Sequence, residues 1–168
     1  YVMQKYPNAI IITVDDDILY EKSLIQKLLE FNKKFPECVL CNWGSVKFGT
    51  EYKNWKNLLF AYREPSYSTL QIGVGGVLYP PKSLHIDIFR KDIFLDICPL
   101  ADDIWLNSMA VLNNTKIVKT DYPYYFVPIL YKDNFELNKV NVGENQNDFQ
   151  IQSILKRYNS EFDGKMFL

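Results

Sequence analysis

A chain of 168 residues with a hydrophobic share of 48% fits one domain with a core of its own. The formal net charge of −1, from 19 Lys and Arg against 20 Asp and Glu scattered along the chain, excludes the basic footprint of a nucleic-acid-binding protein. No apolar run reaches the ~18 residues that span a bilayer, and three cysteines, an odd and sparse count, argue against a disulfide framework and fit a reducing compartment.

Residues 1–6 read as the end of a helix, with Pro7-Asn8 as the break. Ala9 to Val14 is apolar and mostly β-branched, the pattern of a buried strand in a parallel sheet. Asp17 to Phe35 holds an amphipathic helix stopped by Pro36. Leu24, Ile25, Leu28, Leu29 and Phe31 form its apolar side, and Lys33-Lys34 suits its C-terminal end. Residues 38–48 read as a second strand. Tyr52 to Tyr62 is ambiguous, and Glu64 to Ser68 is a loop. Gly73 to Tyr79 is a Gly-rich strand or turn stopped by Pro80-Pro81. Ile86 to Cys98 holds a short helix, Ala101 to Leu112 a longer one and Lys116 to Lys119 a short strand. Asn147 to Tyr158 is a last amphipathic helix. This alternation predicts a single α/β domain over residues 1–168, around a mostly parallel sheet.

Three segments carry chemistry. Asp15-Asp16-Asp17 closes the first strand, where adjacent carboxylates raise one another's pKa unless a positive charge sits among them. Ligands in open α/β sheets bind beyond the carboxyl ends of strands, and a hard divalent cation sharing phosphate oxygens explains the triplet better than a helix cap, which needs one Asp. Gly73-Val74-Gly75-Gly76 permits close ligand approach, or equally a bulge. It lacks the Lys of a P-loop and the full dinucleotide spacing. Asp102-Asp103 opens a helix whose N-terminus favours ionised carboxylates, and such a group can take a proton from a sugar hydroxyl. Ordinary capping also accounts for the pair. Trp105 offers a ring for a sugar face or for the core.

Cys38 and Cys41 have CxxC spacing but lie in a predicted strand, where positions three apart face opposite sides of the sheet, and His85 is the only histidine. A zinc site is therefore not expected. Asn113-Asn114-Thr115 matches the glycosylation sequon without any secretory feature to support it.

Taken in order, Ile12 to Asp17, Gly75 to Pro81 and Ala101 to Leu106 resemble the DxD, Gly-Gly and acidic-pair segments of GT-A glycosyltransferases, closest to bacterial family-2-type enzymes. The likeness runs from about residue 9 to residue 120. It implies a GT-A-like three-layer sandwich around a mostly parallel sheet, and a sugar transferred from a nucleotide-sugar donor to a glycan or lipid-linked acceptor. It further implies polysaccharide biosynthesis in the cytoplasm or at the inner face of the membrane. Mn²⁺ or Mg²⁺ would be held by Asp15 and Asp17, with Asp16 near the nucleotide. Asp103 would be the base, with Asp102 as its alternate, and Gly75, Gly76, Tyr79 and Trp105 would shape the acceptor pocket. Such domains begin with nucleotide-binding strands ahead of the DxD, so this chain reads as the later part of one.

Two other classes fit parts of the pattern. A haloacid-dehalogenase-type Mg²⁺ phosphatase also places DxD after a hydrophobic strand, but it would leave Gly75 to Pro81 unexplained. It also usually has Thr or Val at the position held here by Leu19. The third reading is a non-catalytic sugar-binding remnant.

Overall fold

The computed structural model describes residues 2–58, 62–122, 127–129 and 145–167. Tyr1 and Phe60, both within sequence-predicted segments, lie outside them. A short helix α1 (Val2–Lys5) precedes strand β1 (Ile11–Thr13), and β2 (Ile18–Leu19) leads to α2 (Leu24–Lys34). Next come β3 (Val39–Cys41), β4 (Gly44–Val46), β5 (Lys56–Leu58), β6 (Arg63–Ser66) and β7 (Thr69–Gln71). A turn of 3-10 helix at Gly73–Gly75 opens into β8 (Val77–Tyr79). Helices α3 (Lys91–Ile97) and α4 (Asp102–Leu112) follow, then β9 (Ile117–Lys119), β10 (Val127–Pro128) and α5 (Gln146–Phe162).

The principal sheet has the order β1-β8-β3-β9-β6. Period-two alternation divides its residues between two cores. Leu40, Leu78 and Val118 face α2, where Leu24, Leu28 and Phe31 recur at helical spacing on one side. Val39, Cys41, Val77, Tyr79 and Ile117 point the other way, into a cluster with Ile104, Trp105 and Met109 of α4 and Ile151, Ile154 and Tyr158 of α5. Each fully buried aliphatic side chain in these layers contributes about 1.5–3 kcal/mol. The central strands β3, β8 and β9 are buried throughout, which is why they read as continuous apolar runs.

The expectation of a mostly parallel, GT-A-like sandwich is overturned. Among the described residues of the principal sheet only β3 and β9 pair in parallel; β1–β8, β3–β8 and β6–β9 are antiparallel. The cause is β8, which runs back from the glycine turn between β1 and β3 and converts two co-directional neighbours into antiparallel pairs. Apolar runs report burial on both faces and carry no information on direction.

Other elements differ in extent. The first long helix begins at Leu24, because Ile18 and Leu19 pair with Pro128 and Val127. Residues 38–48 break at Asn42-Trp43 into β3 and β4, which join different sheets, β4 pairing with β5 and β7. The predicted loop at 64–68 is largely β6, an edge strand that tolerates Pro65. The predicted helix at 86–98 is a 3-10 turn, Ile86–Phe89, followed by α3. At the head of that turn the ring of His85 accepts a bond from the Asp87 N–H at 3.3 Å.

Candidate functional site

The register Thr13↔Val77 sets the end of β1 beside the start of β8. The aspartate triplet that follows β1 is thereby brought against the glycine turn that precedes β8. Tyr20 fastens the two together: its hydroxyl accepts from the Asp15 backbone N–H at 3.0 Å and donates to the Val74 carbonyl at 3.0 Å. At the far end of the triplet, the Ile129 N–H donates to the Asp17 carbonyl at 2.7 Å.

The third predicted segment reaches the same place. Asp103 lies in the first turn of α4, yet the cap position Ala101 makes no side-chain bond and Asp103 does not cap its own helix. Instead its Oδ1 accepts from the Gly73 N–H at 2.9 Å. A side chain at position 73 would crowd this approach. A Cβ there would stand 3.1 Å from Asp103 Oδ1 and 3.9 Å from Asp15 Oδ1. The two carboxylate oxygens therefore lie within about 7 Å of each other, the sum of those distances. Asp15, Gly73 and Asp103, far apart in sequence, meet at one place. Asp16 and Asp17 follow as exposed side chains, and Asp102 is exposed beside them.

The charges that act on Asp15 are all negative. Burial raises its pKa first, followed by Asp17, Asp102 and Asp16. Asp103 is affected more. Its carboxyl is packed round by protein although part of the side chain remains exposed, and burial pushes it up to about 7. Asp102 and Asp15 push in the same direction, while the Gly73 N–H pulls the other way. A carboxyl near 7 can both hold and accept a proton at neutral pH.

The residues expected to shape an acceptor pocket sit deeper. Gly75 and Gly76 are buried and serve backbone packing. A Cβ on Gly75 would stand 2.6 Å from both the Cβ and the backbone N of Trp43, and Gly76 has φ +81° against the Leu24 side chain. Tyr79 is 1% exposed, beneath Asp103. Trp105 is 3% exposed and packs against Phe94 and Tyr158. It still reaches the wall of a cavity of about 440 Å³ that Asp102, Lys91, Phe89 and Phe94 also line.

Among the described residues no three His, Cys, Asp or Glu side chains are grouped so as to hold a metal ion by themselves. The donors that Asp15 and Asp17 offer are oxygens, the kind hard divalent cations take, with the remaining ligands left to water or phosphate. Compared with protein family models, with curated proteins and with solved structures, the chain matches none.

Sequence reading missed Tyr20, Gln71 and Asn107. Tyr20 falls within the predicted helix, and Gln71 and Asn107 are single amides in apolar surroundings. Their roles come from partners 54, 32 and 36 positions away, which no local pattern signals.

Proposed function

We propose that this chain carries the catalytic centre of a metal-dependent glycosyltransferase that moves a sugar from a nucleotide-sugar donor to an acceptor hydroxyl with inversion. The observation that carries the reading is the Asp103 carboxyl, raised to about 7 and held beside Asp15 by the Gly73 N–H. With Oδ1 engaged by that N–H, Oδ2 is the atom that takes the acceptor's proton. The acceptor oxygen then bonds to the anomeric carbon as the bond to the diphosphate breaks, and the nucleoside diphosphate leaves with the electron pair. Asp15 and Asp17 are the residues to hold Mn²⁺ or Mg²⁺, with Asp16 toward the nucleotide. When bound, the cation would supply positive charge against the departing diphosphate. Asp102 is the alternate base, and the cavity it lines with Trp105 offers an aromatic wall to a glycan or lipid-linked sugar. No helix among the described residues is long and apolar enough to cross a membrane. We place the activity in the cytoplasm, where nucleotide sugars are made, or at the inner membrane face.

The test is transfer from nucleotide sugars with Mn²⁺ by the full-length protein. Asp103→Asn keeps the shape and the bond from Gly73 but loses the proton acceptor, so turnover falls by roughly 10²–10⁴ with donor KM little changed. Asp102→Asn has a small effect. Full turnover by Asp103→Asn alongside loss by Asp102→Asn reverses the assignment. Full turnover by both removes the base and with it the mechanism.

A further inference from the structure

Behind Asp103 a buried chain of polar groups crosses the core. Lys47 Nζ donates to Asn107 Oδ1 at 2.7 Å. The Asn107 amide nitrogen donates to the Thr69 carbonyl at 2.9 Å and to Gln71 Oε1 at 2.8 Å. Gln71 Nε2 in turn donates to the Asp103 carbonyl at 3.1 Å. Lys47 is 2% exposed, and Asn107 and Gln71 are 0% exposed.

The direction of every bond is forced. The Thr69 carbonyl only accepts, so Asn107 must turn its nitrogen toward Thr69 and Gln71 and its oxygen to Lys47, whose amine donates there even though burial lowers its pKa to about 7. Gln71 must then present its oxygen to Asn107 and its nitrogen to the Asp103 carbonyl, which only accepts. Both side-chain amides are left with one rotamer and one orientation each. Asn107 lies one helical turn beyond Asp103, so the chain ties the first two turns of α4 to β7, one point in each. Gln71 lies two residues before Gly73, the donor to the Asp103 carboxyl. The same short segment therefore holds Asp103 by its backbone from one side and by its carboxylate from the other. Burying three polar side chains here is unfavourable unless all are satisfied, and an apolar contact would fasten α4 to β7 equally well. What an apolar contact would not do is fix the height and rotation of the first turn, on which the Gly73 bond depends.

We propose that Gln71 and Asn107 are positioning residues for Asp103, holding the first turn of α4 so that its carboxylate meets Gly73 in the geometry that proton transfer needs. The catalytic half of this proposal rests on the glycosyltransferase reading; the positioning half does not. Gln71→Met keeps the volume and removes the donor to Asp103. Asn107→Asp keeps the shape and the bond from Lys47 but cannot donate to Gln71. Hydrogen exchange at the Gly73 amide reports whether Asp103 is still in place, and exchange at Leu40 and Leu78 reports the sheet as a whole. Both variants are expected to exchange the Gly73 amide at least tenfold faster, with Leu40 and Leu78 unchanged. In the transfer assay, kcat falls about tenfold or more with donor KM unchanged. Gly73 exchange equal to that of the unaltered protein in both variants overturns the proposal, whatever the activity. Faster exchange with no transfer by any form, the unaltered protein included, keeps the positioning and ends the glycosyltransferase reading. Should neither variant fold, the Gln71 side-chain amide of the unaltered protein, labelled with ¹⁵N, decides it. Slow exchange supports the chain of bonds, and exchange at the rate of a surface glutamine overturns it.

Discussion

Replacing Asp103 by Asn should stabilise the protein at neutral pH and leave it unchanged in acid. The folded-state pKa is raised from 3.8 to about 7, chiefly by burial and then by Asp102 and Asp15. Between about pH 4 and about pH 7 the folded protein therefore keeps a proton that the unfolded chain releases. Stability from this group is full below pH 4 and declines as pH rises, levelling off above the folded pKa. At 1.36 kcal/mol for each pKa unit the ceiling is about 4 kcal/mol. The side chain is only partly buried, and solvent screening brings the expected figure to about 2 kcal/mol. Asn matches the protonated carboxyl in shape, can accept from Gly73 through Oδ1, and has no charge to bury. Urea unfolding at pH 3, 4.5 and 7.5 measures this. The difference between Asp103→Asn and the unaltered protein should grow from near zero at pH 3, below the unfolded pKa of 3.8, through about 1 kcal/mol at pH 4.5 to about 2 kcal/mol in favour of the variant at pH 7.5. Taking the difference cancels the titration of the other carboxylates, which is what makes the comparison decisive. A variant less stable at pH 7.5, or a difference independent of pH, refutes the claim that Asp103 is held under charge strain.

Two further predictions concern the aspartate triplet and the glycine turn beside it. Mn²⁺ alone should bind weakly, and Mn²⁺ with a nucleoside diphosphate should give calorimetric heat that Asp17→Ala abolishes; equal heat from that variant removes the triplet from metal binding. Gly75→Ala drives a Cβ to 2.6 Å from the Trp43 backbone, which cannot swing aside as a side-chain tip does. It should cost about 1–3 kcal/mol or more in urea unfolding, and unchanged stability would mean the turn has room to give.

Local pattern was enough to place α2, α4 and α5, because Leu24, Leu28 and Phe31, or Ile151, Ile154 and Tyr158, recur at the helical period whatever surrounds them. It also picked out Asp15–Asp17 and Asp102-Asp103, since crowded carboxylates are conspicuous by composition. Strand direction was beyond it. A strand buried on both faces has the same apolar run whether its neighbour is parallel or antiparallel, so the insertion of β8 between β1 and β3 left no trace in the residues. The glycines divided in the same way. Their clustering announced a special backbone, but only packing decided that Gly75 and Gly76 serve Trp43 and Leu24 while Gly73 admits Asp103. The acidity of Asp103 was likewise a tertiary outcome. The sequence supplied an ordinary aspartate at a helix start, where the dipole would favour its charge. Burial first, then the adjacent Asp102, and then the approach of Asp15 from 88 positions away reversed that preference. Desolvation and Coulomb repulsion depend on distance in space, and distance along the chain does not fix it.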